Sequence, residues 1–221
     1  MYPERALATQ DTPELADENA PALIGPHAVI HAAEVLQESF GTLACQTVLA
    51  HARIDTVPSG ECMIPEIEAL RLHRWMAMWD PVACFDVAEE AARRTADYII
   101  ASRMPAPAVR LLRHLPAQLA APLLMRAIGR HAWTFAGAGR FTPHGAWDFT
   151  IDRSVVDDLV RPPDTLSVWY AAVFTRLYQR MVDERSECSR LSTGSPNPSI
   201  FRFGIVRRSA RQDFLRRAEP R

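Results

Sequence analysis

The chain has 221 residues, is 48% hydrophobic and 23% charged, and carries a net charge of −1. That length suits one large domain with tails, and near-neutrality supplies no global attraction to nucleic acid or anionic lipid. All 25 basic residues are arginine, which excludes Schiff-base chemistry through lysine, and four scattered cysteines without a CxxC pair fit a reducing cytoplasm better than a disulfide framework.

Residues 1–20 are acidic and polar and lack the apolar core of a signal peptide, so they read as a disordered tail. The ordered domain is expected over 21–206. Gly25-Pro26 opens a helix whose apolar stripe is Val29, Ala33, Leu36 and Phe40, and Gly41 is placed to end it. A second helical stretch covers 42–53. After a loop with Pro58 and Gly60, Pro65 opens a helix with Glu66 and Glu68 at its positive end and Ala69, Leu72, Trp75, Met76 and Trp79 on its inner face. Asp80-Pro81 starts the next, with Phe85, Ala88, Ala92, Thr95 and Ile99 in helical period. Proline-punctuated helices follow near 105–115 and 116–131.

The period then changes. Residues 133–141 and 147–151 are aromatic or β-branched runs separated by Pro143 and Gly145, which predicts a hairpin. A helix is expected from 167 to 182. Strands are expected at 186–192 and 200–206, joined through a turn-rich loop at 193–198, and Phe201, Phe203 and Ile205 alternate with Arg202 and Gly204. The tail 207–221 holds six arginines. It reads as a frayed basic end or a docking segment for an acidic surface. Helices first and hairpins later make the class α+β, a helical layer on a small C-terminal antiparallel sheet. No apolar run is long enough to span a membrane.

Chemistry-bearing constellations are few. Gly137-Ala138-Gly139 supplies two glycines of a dinucleotide loop, but Thr142 stands where the third is needed and a strand follows. The pair more simply permits close approach of another backbone or a ligand. His27, His31, Glu34 and Glu38 share one helix face. Two imidazoles at i and i+4 suit metal ligation, and a solvated face of His–Glu pairs satisfies the same spacing. Five tryptophans and seven methionines offer lining for a flat macrocycle or ordinary core, with Arg103, Arg130 and Arg140 near the aromatic segments. Nucleophilic catalysis has no positive support, since no GxSxG elbow exists.

The run His131-Ala132-Trp133-Thr134-Phe135-Ala136-Gly137-Ala138-Gly139 resembles the signature of the bacteriochlorophyll 4-vinyl reductase (BchJ) family. Ordered matches extend the likeness from about residue 22 to 206. They include Leu23-Ile24-Gly25-Pro26, Met63-Ile64-Pro65-Glu66, Leu72-His73, the segment 95–105, Leu112-Arg113-His114-Leu115-Pro116, the segment 172–177 and Phe201-Arg202-Phe203. The resemblance implies a fold related to Golgi-tethering (TRAPP) subunits and haem–nitric-oxide-binding domains, and a role in bacteriochlorophyll biosynthesis at the 4-vinyl (8-vinyl) group. One departure stands out. Ser167, Val168 and Trp169 replace a cysteine that relatives carry, Cys188 remains, and no thiol precedes Phe201, so a zinc site of the family type is not expected.

Together these readings predict an accessory protein that binds a magnesium-porphyrin or chlorophyllide intermediate and presents it to enzymes of bacteriochlorophyll biosynthesis. The alternatives are a vinyl reductase, for which no hydride-donor motif is found, and a non-catalytic protein–protein module. The expected ligand is a tetrapyrrole, with no other cofactor held through a recognisable motif. Its candidate binding residues are His131, Trp133 and Phe135, which would share one face if that segment is a strand, with Arg103, Arg140, Tyr98 and His73. His27 and His31 are the alternative axial ligands. The expected location is cytoplasmic, with the periphery of the photosynthetic membrane left open.

Overall fold

The computed structural model describes residues 22–154, 162–192 and 197–208. The predicted acidic tail, most of the basic tail and the centre of the last hairpin loop lie outside these residues. Two-residue strand β1 (Leu23–Ile24) leads into helix α1 (His27–His51), and β2 (Ile64–Pro65) leads into α2 (Glu66–Trp79). α3 (Ala83–Tyr98) runs into a π-helical turn, Ile99–Arg103, before α4 (Ala106–His114) and α5 (Ala117–Arg130). A single turn, α6 (Trp133–Ala136), precedes β3 (Arg140–Pro143) and β4 (Asp148–Asp152). α7 (Asp164–Met181), β5 (Ser186–Arg190) and β6 (Ile200–Arg207) complete the order.

Helix entries follow the proline signals. Pro26 immediately precedes α1, and Pro65, Pro105 and Pro116 stand in extended geometry directly before α2, α4 and α5. Their fixed φ admits the helix while their missing N–H costs nothing there. Asp80 caps α3 by accepting from the amides of Val82 and Ala83 at 2.9 and 2.8 Å. Gly41 ends the first half of α1, as its placement predicts: at φ 84° and ψ 169° it leaves helical winding, and a second helical half follows. That positive φ favours glycine.

α3 and α7 form the centre of the helical layer. Ala88, Ala91, Ala92 and Ala96 present almost no side chain, so the helices approach closely, and Arg176 grips Asp97 with two bonds of 2.9 and 2.8 Å. Beneath α7 lies the sheet, order β3-β4-β6-β5 and antiparallel throughout. Phe174 of α7 stacks on Phe149 at 4.0 Å, and Phe149 on Phe203 at 5.0 Å. Phe201, Phe203 and Ile205 are buried while Arg202 is exposed, as the alternation predicts. The class is α+β with a small antiparallel sheet.

Three local expectations are corrected. Residues 133–136 wind as a helical turn rather than a strand, because the amides of Thr134, Phe135 and Ala136 donate back to His131 and Ala132. The β1–β2 pair, Leu23 opposite Pro65, forms well before Trp133, a long-range pairing no hairpin signal could announce. Phe40, Trp79 and Phe85, assigned to inner faces, are each more than a third exposed. Phe40 and Trp79 pack edge-on against each other at 4.9 Å.

Candidate functional site

The glycine-rich segment after α5 is built around a buried ion pair. Glu66, the first residue of α2, pairs with Arg153, and both are almost wholly buried. The amide of Ala138 donates to Glu66 Oε2 at 2.9 Å, and a Cβ on Gly137 (φ 58°) would run into that carboxylate. Only glycine fits there. At Gly139 an added Cβ would come within 2.9 Å of the carbonyls of Ala136 and Asp152. Arg153 also donates to the Ala136 carbonyl at 3.3 Å and to Tyr170 Oη at 3.1 Å, and Tyr170 donates to the Phe135 carbonyl at 3.1 Å. The close approach that the glycines allow is therefore made by protein groups.

Because this segment turns as a helix, His131, Trp133 and Phe135 do not share a face by strand alternation. His131 is exposed at the end of α5, with Nδ1 3.0 Å from the Ala127 carbonyl. Trp133 is 60% exposed. Phe135 turns inward among Phe141, Tyr170 and Phe174 at 5.5–6.3 Å. Arg140 lies on the edge strand opposite Asp152.

A second cluster forms where the start of α1 meets the end of α3. His27 and His31, one turn apart, project together; His27 stacks on Tyr98 at 3.7 Å with 20° between the rings. The Arg103 guanidinium lies 5.7 Å from the centre of the Tyr98 ring. Gly60, at φ 93°, brings the 52–63 loop over this corner, close enough that a Cβ would sit 3.8 Å from His27 Nε2. The π-helical turn delivers Arg103. Its wide winding ends as the Met104 amide reaches back to the Ile99 carbonyl at 3.0 Å, and Pro105 stops it.

The electrostatics of this corner keep His27 neutral. Burial, then the neighbouring His31 and Arg103, push His27 down to about 4, so it is uncharged at neutral pH and its lone pair is free to ligate. His31 Nδ1 bonds Glu34 Oε2 at 2.8 Å, while its Nε2 is buried without a partner. A carboxylate on one ring nitrogen fixes the orientation of the other, the arrangement that prepares an imidazole for a metal. Glu38 does not join: Arg94 binds it at 2.8 and 2.6 Å and holds its carboxyl below the usual range. The face is thus a histidine corner oriented by Glu34 beside a surface ion pair, with Arg94 Nη1 3.9 Å from Glu34 Oε2 between the two.

His73 sits elsewhere, on the inner face of α2. It is fully buried with both ring nitrogens unpartnered, and burial pushes it down to about 4. Two surface clefts of about 360 and 370 Å³ lie beside α3, the first against α2 and the start of α7, the second against α1, and none of the candidate residues lines either. Burial pushes the Cys188 thiol far up, which removes it as a nucleophile. Sequence reasoning placed His27 and His31 on one helix face but did not join Tyr98 and Arg103 to them. The His–Glu pairing that the spacing allowed is found at His31 and Glu34, whereas the Gly60 loop had no signal in the sequence.

No family model matches the chain. It is 39% identical over 161 residues to the bacteriochlorophyll synthase 23 kDa chain of Cereibacter sphaeroides, covering 72% of this chain and 78% of that one. A protein of the same name from Rhodobacter capsulatus is 32% identical over 186 residues, covering 80% and 85%. Among solved structures, the chain resembles a point mutant of the Fe(II) unliganded H-NOX protein from K. algicida, with TM-score 0.57, 12% identity, and coverage of 85% and 98%. It also resembles an H-NOX protein from work on heme distortion, with TM-score 0.51, 10% identity, and coverage of 83% and 95%. At these identities the structural likeness speaks for the fold alone.

Proposed function

This chain belongs to the bacteriochlorophyll synthase 23 kDa chain (BchJ) family, and from that premise we propose that it serves bacteriochlorophyll biosynthesis by binding a magnesium-porphyrin or chlorophyllide intermediate and presenting it to pathway enzymes. The observation that carries the reading is the His31 imidazole, tied by Nδ1 to Glu34 and holding a buried, unpartnered Nε2 beside the His27–Tyr98 stack. Magnesium already held by a macrocycle needs one axial ligand, and a single imidazole supplies it. Tyr98 offers a flat aromatic face, and Arg103 a fork suited to a peripheral carboxylate. An H-NOX-like fold is compatible with such a ligand. Among the described residues no helix is long and apolar enough to cross a membrane. The proposal sets the protein in the cytoplasm, meeting the photosynthetic membrane only at its surface.

The test is a spectroscopic titration of the purified chain with magnesium protoporphyrin. Wild type should shift the main absorption band as an axial ligand binds. His31→Ala should abolish the shift and weaken affinity about tenfold, equivalent to roughly 1.4 kcal/mol, with Glu34→Gln intermediate. An unchanged band shift and affinity in folded His31→Ala would return the site to the His131–Phe135 segment. Conversion of a divinyl pigment once a reductant is added would replace the carrier with an enzyme.

A further inference from the structure

Residues 98–147 contain no aspartate or glutamate, yet they hold six arginines and three histidines within a chain of net charge −1. This acid-free stretch folds as the π-helical turn, α4, α5, α6 and β3. Arg103, Arg110, Arg113, Arg126 and Arg130 are all exposed, and among the described residues none of them stands in an ion pair.

The same helices expose apolar side chains. α4 and α5 bury Leu112 and the group Ala120, Ala121, Leu124 and Met125, and on their outer sides Leu111, Leu119 and Leu123 are 56%, 55% and 47% exposed. Along α5 the outward positions run Gln118, Leu119, Pro122, Leu123, Arg126, Ala127 and Arg130, an apolar start followed by arginines, and the exposed Trp133 comes just after. Protruding leucines followed by arginines that stand in no ion pair, and then by a tryptophan, suit a bilayer surface. Acyl chains accept protruding side chains without matching their shape, arginine reaches back to headgroup phosphates, and tryptophan favours the interface. A protein partner would call instead for an apolar centre with its charge at the rim.

We propose that the outer face of α4–α5, with Trp133, is a docking surface for an anionic lipid bilayer. Positive charge meets negative headgroups while leucine and tryptophan enter the headgroup–acyl boundary. This inference is independent of the tetrapyrrole reading, because its test contains no pigment.

The test is co-sedimentation of the full chain with vesicles of phosphatidylcholine alone and of an equal mixture with phosphatidylglycerol. The chain should bind the anionic vesicles, less so as salt rises, and bind neutral ones weakly. Each arginine removed should cost about 5-fold in partitioning, so Arg126→Gln with Arg130→Gln should lose roughly 25-fold. Leu119→Ser with Leu123→Ser should also release the protein, whereas Arg93→Gln, a charge removed from α3, should not. Equal binding to neutral and anionic vesicles, or no binding to either, overturns the proposal. So does retention by polyglutamate with no vesicle binding, which would make this face a site for an acidic protein.

Discussion

The segment 131–139 and the corner of His27, His31, Tyr98 and Arg103 differ in how their polar groups are partnered. In the first, Glu66 Oε1 and Arg153 Nη2 meet as opposite charges, Glu66 Oε2, the Ala138 amide, the Ala136 and Phe135 carbonyls and the Tyr170 hydroxyl have hydrogen-bond partners, and Arg153 Nε is left over. In the second, a buried ring nitrogen of His31 has no protein partner and His27 is held neutral. A conspicuous glycine-aromatic run is thereby accounted for by packing around a buried ion pair, while a plainer i, i+4 histidine pair retains unused ligating capacity. Chemistry is to be sought where bonding is incomplete.

The largest effect expected from breaking this contrast comes from the ion pair. Arg153→Met leaves the Glu66 carboxylate buried without its partner and should cost about 3–5 kcal/mol of stability in urea denaturation. Pigment affinity of the remaining folded protein should be unchanged. A loss below about 1 kcal/mol would mean that the charges are screened and that the segment is not built around them.

Acid sharpens the histidine side. His27 and His73 both stand near 4 in the fold, against an ordinary 6.5. Between those values the unfolded chain binds more protons than the native one, so stability falls as pH drops from about 6.5 toward 4. For fully buried His73 the contribution approaches about 3 kcal/mol. Denaturation midpoints measured from pH 7 to 4 should decline steeply in wild type and less in His73→Phe. Equal slopes would show that His73 finds a partner or water in solution. His27→Phe should flatten the same slope by less, since that ring is only partly covered.

The smallest effect is predicted at Trp133. Its side chain lies mostly in solvent, so Trp133→Leu should change stability by less than about 0.5 kcal/mol and leave the pigment band shift intact. A tenfold loss of pigment affinity in that variant would move the ligand from the histidine corner to the glycine-rich segment.

What was legible in the sequence was what is local. Proline fixes its own φ, so the entries of α1, α2, α4 and α5 could be read directly, and alternation in β6 assigned Phe201 and Phe203 inward. Trp-Thr-Phe-Ala carries β-forming residues, yet one turn of helix prevails because Gly137 must reverse the chain against Glu66. The Glu66–Arg153 pair joins residues far apart in the chain, and nothing near either announces the other. At the histidine corner the spacing of His27, His31 and Glu34 was visible. Tyr98 and the Gly60 loop reach it only through tertiary packing.

The π-helical turn at Ile99–Arg103 has a consequence for how this corner tolerates change in chain length. A π turn holds one residue more than the α turn it replaces. Wound as continuous α-helix with that residue kept, everything downstream would turn by about 100° about the helix axis, and Arg103 would swing off the Tyr98 ring. Deleting one residue would instead let an α turn close in place of the π turn with the downstream chain near its present phase. The π turn therefore works as a phase setting: it takes up one residue of chain length and fixes which way a charge points.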